Sequence, residues 1–147
     1  MRHRALAAFG LTFWLLAAPD RGSAQVPSPE AATRVTVTVD AKHPWVDSGL
    51  VVRNGESLSF EADGTIRWGA KADHVAGPEG HGAKPGKVGA GGLIGRVGYT
   101  SKPFPIGNTR TPIAMPKSGE LFLGINDFVF KDNSGSFVVT ITRPRTP

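Results

Sequence analysis

Apolar and polar residues alternate with a period of two along most of the chain, the spacing of strands with one buried face. Arg34-Val35-Thr36-Val37-Thr38-Val39 places three valines on one side. A second apolar run, 45–52, is interrupted at Asp47-Ser48-Gly49, where a bend or bulge is expected. Asn54-Gly55 then signals a hairpin. Beyond it Leu58, Phe60 and Ala62 face one way and Ser57, Ser59 and Glu61 the other, until Asp63-Gly64 turns the chain into Ile66 and Trp68. Residues 121–125 and 137–142 predict two strong strands near the end, with shorter ones at 93–97 and 104–106. Short strands parted by Gly, Asn, Asp and Pro predict an all-β fold, a β-sandwich of about eight strands.

The first two dozen residues break this pattern and read as an export signal. Arg2 and Arg4 give a basic start, an apolar run follows to Ala18, and Gly22-Ser23-Ala24 ends in small residues. That run is short for a bilayer crossing and no second one follows, so no membrane span is expected. The expected organisation is a signal at 1–24, a flexible leader at 25–32 and a β-sandwich domain at 33–147. Its location would be secreted or periplasmic. Without the signal, net charge falls from +5 to +3, because Arg2, Arg4, Arg21 and Asp20 go with it. The remaining basic residues are scattered rather than interleaved with stacking aromatics, which argues against nucleic-acid binding. There is no cysteine, so neither disulfides nor thiolate metal sites are available.

Candidate chemistry is sparse. The glycine-rich segment 69–92 suggests a phosphate loop, but His81 and Val88 stand where the pattern before and after Gly86-Lys87 needs Gly and Ser/Thr. His43, His74 and His81 lack zinc spacing and read as lone exposed histidines. No Gly-x-Ser-x-Gly elbow marks a nucleophile, and nothing points to an enzyme. The loop 126–133 is different, because it joins two strong strands and carries Asn126, Asp127, Asp132 and Asn133 at its ends. A hairpin there would bring those oxygens together, and calcium takes six to eight such hard ligands. The same residue types also suit an ordinary turn.

Several segments, in order, resemble the galactophilic bacterial lectin family, the PA-I-type, calcium-dependent, galactose-binding β-sandwich. They are Trp45-Val46-Asp47-Ser48-Gly49-Leu50, Asn54-Gly55-Glu56-Ser57-Leu58-Ser59-Phe60, Gly64-Thr65-Ile66-Arg67-Trp68-Gly69, Gly77-Pro78-Glu79-Gly80 and Gly92-Leu93-Ile94-Gly95-Arg96-Val97-Gly98. The most specific pair is Leu123-Gly124-Ile125-Asn126-Asp127 and Asn133-Ser134-Gly135-Ser136-Phe137. The resemblance implies a galactose-binding-domain-like sandwich that binds one Ca2+, with the ion itself taking two sugar hydroxyls. It makes Asp127, Asp132 and Asn133 side-chain ligands, with backbone carbonyls from Trp68 and from Val129 or Phe130. Asp127 and Asp132 would also accept from the sugar, and His81 is the one loose counterpart of the family's sugar-contacting histidine. Two departures stand out: the 127–133 loop is shorter than in galactose-binding members, and Asp132 replaces an amide.

The expected function is thus calcium-dependent binding of a carbohydrate or glycoconjugate. The alternative is a non-catalytic structural or protein-interaction sandwich, with a structural calcium or no metal. Homo-oligomer formation is left open. The segment 69–92 should form one wall of the site, because it leaves Trp68 and must return to Leu93; His74, Glu79, His81 and Lys84 are its candidate sugar contacts.

Overall fold

A computed structural model describes residues 32–145. The expected signal at 1–24 and leader up to residue 31 lie outside them. Nine strands and no helix form among the described residues: β1 (Thr33–Asp40), β2 (Val46–Val52), β3 (Ser57–Arg67), β4 (Val75–Ala76), β5 (Leu93–Val97), β6 (Phe104–Pro105), β7 (Ile113–Ala114), β8 (Gly119–Ile125) and β9 (Ser134–Arg143). One sheet runs β1-β9-β3-β4, with β7 also paired to β3; the other runs β2-β8-β5-β6. All pairings are antiparallel, and the fold is a β-sandwich.

The alternation read from the sequence is the alternation that buries. Val37 and Val39 of β1, Leu58, Phe60 and Ile66 of β3, and Phe137, Val139 and Ile141 of β9 point inward from one sheet. They meet Leu50, Val52, Leu93, Val97, Leu121, Leu123 and Ile125 from the other. Each large side chain so buried contributes about 1.5–3 kcal/mol, which is how a cysteine-free domain of this size holds together. On the outer face of β8, Phe122 is covered by Tyr99 and Arg96, and Gly124 by Trp45. Arg96 also lies over the Trp45 ring, 4.2 Å from its centroid.

The bulge expected at Asp47-Ser48-Gly49 is present as a register shift between Asp47 and Val51. Its polar groups close on themselves: Gly49 N–H donates to Asp47 Oδ1 (2.8 Å), and the buried Ser48 hydroxyl donates to the Leu121 carbonyl (2.7 Å).

Three local expectations are corrected. Asp63-Gly64 is no turn; β3 runs through it in unbroken register with β9. Glycine stands there because a Cβ would come within 2.5 Å of the Ser136 carbonyl on the neighbouring strand. Asn54-Gly55 does turn the chain, with Glu56 N–H donating to the Arg53 carbonyl, but it joins strands of different sheets. A two-residue type I′ hairpin needs positive φ at both central residues, and only Gly55 has it (φ 78°). For the same reason 126–133 is not a hairpin: β8 and β9 belong to opposite sheets, and the loop caps one end of the sandwich.

Candidate functional site

The 126–133 loop closes on itself through Asp127 and Asn133. Asp127 Oδ1 accepts the Phe128 and Val129 N–H groups (2.7 and 3.4 Å), which fixes the carboxylate over its own loop. Asn133 is 2 % exposed, and its Nδ2 donates both to Asp127 Oδ2 (2.8 Å) and to the Ala41 carbonyl (3.0 Å). Two acceptors on one side settle which end of the amide is nitrogen. Asn133 Oδ1 therefore faces the other way, buried and with no donor among the described residues. A buried acceptor without a donor costs free energy unless a cation or donor meets it.

The remaining expected ligands are placed with mixed results. Asp132 is exposed at the tip of the Phe130–Asn133 turn and makes no hydrogen bond with the described residues. The Phe130 carbonyl already accepts Asn133 N–H (3.3 Å), so Val129 offers the freer carbonyl of the two. The β3–β9 pairing ends at Arg67 and Ser134, so Trp68 and Asn133 are the first residues beyond it on either strand. Among the described residues no group of three or more His, Asp or Glu side chains converges. A calcium here would depend on two carboxylates, one amide and main-chain carbonyls, a donor set of the right hardness.

The segment 69–92 is ordered by its own backbone and lies against this loop. It contributes the short β4 and an inner hairpin in which His81 pairs with Ala90 and Lys84 with Lys87. Asn126 fastens it to the calcium-candidate loop three times: its N–H donates to Gly92 O (2.8 Å), its carbonyl accepts from Gly91 N–H (2.9 Å), and its Nδ2 donates to Gly89 O (3.1 Å). Gly91 sits so close to Trp68 that a Cβ would fall 2.6 Å from the indole. The segment and the loop thus enclose a cleft of about 600 Å³, lined by Trp45, Lys87, Val88, Asp127, Phe128 and Phe130 among others.

His74 departs from expectation. It is not a lone exposed histidine but stacks flat on Trp68, centroids 3.9 Å apart, with Nδ1 buried and unpartnered. His81 is exposed and tilted toward the same indole at 6.1 Å, and His43 is exposed with its Nδ1 3.6 Å from Asp40 Oδ2. Sequence reading passed over Phe128, which is 95 % exposed on the cleft, and Lys87. The signal for Lys87 was there in Lys84-Pro85-Gly86-Lys87, a Pro-Gly turn between two lysines.

Comparison with known proteins finds Lectin A of Photorhabdus laumondii subsp. laumondii (strain TT01), 31% identical over 99 residues that cover 64% of this chain and 78% of that protein. Among solved structures, the EclA N-terminal domain, described as a PllA-like lectin, matches with a TM-score of 0.65 and 27% identity, over 75% of this chain and 96% of that one. No family model matches the chain.

Proposed function

The chain belongs to the family of bacterial lectins that includes Lectin A, and from that premise we propose that it binds a galactose-bearing glycan, with calcium, at the 126–133 loop. It is a carbohydrate-binding protein and not an enzyme. The observation that carries the finer reading is Asn133, whose Nδ2 holds Asp127 while its buried Oδ1 finds no donor among the described residues. Calcium, when bound, supplies a hard cation on which vicinal sugar hydroxyls replace water. Asn133 Oδ1 and the Asp127 and Asp132 carboxylates would hold it, with the Val129 and Trp68 carbonyls. The protein's own part is orientation: Asp127 is pinned by two loop N–H groups, so its oxygens meet the sugar already aligned. The cleft beside it has the size of a small-ligand site and an apolar floor suited to sugar C–H faces. The same reading places the protein outside the cytoplasm, after loss of residues 1–24.

Titration calorimetry with galactose in millimolar calcium tests this. Asp127→Ala abolishes both calcium and sugar binding, whereas Asp47→Ala, at the β2 bulge, leaves them near wild type. Native calcium affinity in Asp127→Ala would show that the ligands lie elsewhere.

A further inference from the structure

Lys84 and Lys87 face each other across the tip of the hairpin in the 69–92 segment, joined by Lys84 N–H to Lys87 O (3.3 Å) and Lys87 N–H to Lys84 O (2.9 Å). Directly opposed residues of an antiparallel pair project to the same face, and like charges so placed repel. The turn itself needs only Pro85 and the positive φ of Gly86 (71°), so the charges do nothing for the fold. Neither lysine has an ion-pair partner among the described residues. Two acids stand nearby, and both look elsewhere. Glu79 shares a groove with the lysines on the far side of the hairpin but curls its carboxylate back over Gly77, whose Cβ would meet both Oε atoms at 2.9 Å. Asp127 shares the cleft with Lys87 but makes no ion pair with it, its oxygens turned toward the Phe128 and Val129 N–H groups and Asn133. The two unpaired lysines thus stand opposed on the ridge between groove and cleft: both line the groove, and Lys87 also lines the cleft beside Asp127.

We infer that the glycan bound here carries an acidic group, a carboxylate or a sulfate ester, which Lys84 and Lys87 receive. This rests on the reading of the neighbouring loop as the sugar site. An anion between the two ammonium groups relieves their repulsion and makes charge-assisted hydrogen bonds that a neutral sugar cannot.

The test is the ratio of affinities of the whole protein for galacturonic acid, galactose 6-sulfate and galactose, by calorimetry in calcium at low ionic strength. Expected is a preference of about tenfold for at least one acidic sugar, and which one it is distinguishes carboxylate from sulfate. The preference shrinks with added salt, because exposed charges are screened. Lys84→Gln/Lys87→Gln brings the ratio close to one, and Lys84→Arg/Lys87→Arg restores it. Galactose bound with no gain for either acid overturns this inference alone, as does a preference that survives in the Gln variant. No binding of any of the three sugars overturns the proposed function and this inference with it.

Discussion

The two ends of the sandwich are built on opposite terms. At the end where β2 leaves for β3, the polar groups satisfy one another: Arg143 pairs with Glu56 and donates to the Val51 carbonyl (2.7 Å), and Glu56 also accepts Arg53 N–H (2.8 Å). A groove of about 780 Å³ lies there, larger than the cleft at the other end, but its carboxylate is already spent on Arg143 and Arg53. At the 126–133 end, Asn133 Oδ1, Trp68 Nε1 and His74 Nδ1 are buried without partners among the described residues, as is Arg96 Nε on β5, and Phe128 stands in solvent. Buried polar atoms without partners are rare in folded proteins, and a bound ion is one of the things that accounts for them. Pocket size points to the closed end; unsatisfied chemistry points to the open one.

The largest expected break in this contrast comes from glycine. Gly91→Ala forces a Cβ into the Trp68 ring at a backbone φ of 71°, and should cost about 2–4 kcal/mol by urea denaturation. Gly55→Ala, at the other end, has a similar φ of 78° but open space around it, and should cost about 1 kcal/mol. Next is Asn133→Ala, which strips the Ala41 carbonyl and Asp127 of their donor; about 1–3 kcal/mol is expected. Its counterpart, Arg143→Ala, removes a partly exposed ion pair, for under about 1 kcal/mol. If Arg143 proves the costlier of the two, the closed end is the one under tension. The smallest effect on stability is expected from replacing residues 83–87 by a short Gly-Ser linker. This spares Gly89, whose carbonyl holds Asn126, so melting should move by less than about 0.5 kcal/mol while a glycan-array profile changes. An unchanged profile would make the hairpin tip a bystander.

Much of this was legible in the residues. Valine at 35, 37 and 39, and Phe137-Val139-Ile141, announce their strands because period-two alternation is itself the condition for burial on one face. What local pattern could not supply was which sheet a strand joins. Asn54-Gly55 and Asp63-Gly64 both look like hairpin turns, yet one crosses between sheets and the other lies inside a strand, where β9 leaves no room for a Cβ. The same limit applies at the site. The acids and amides of 126–133 were readable as oxygen ligands, but the hydrogen bond from the Asn133 amide to the Ala41 carbonyl spans 92 residues and exists only once the sheets pack. So too the stacking of His74 on Trp68, which holds in place a histidine that reads as free in the sequence.

The most direct test is a thermal melt of the protein in millimolar calcium and in excess chelator, with Asp127→Ala alongside. A ligand that binds only the folded state at a hundredfold excess over its dissociation constant adds about 2.7 kcal/mol, on the order of 10 °C for a domain of this size. The account predicts a rise of that order in the wild type and none in Asp127→Ala. Superimposable wild-type melts with and without calcium would contradict it.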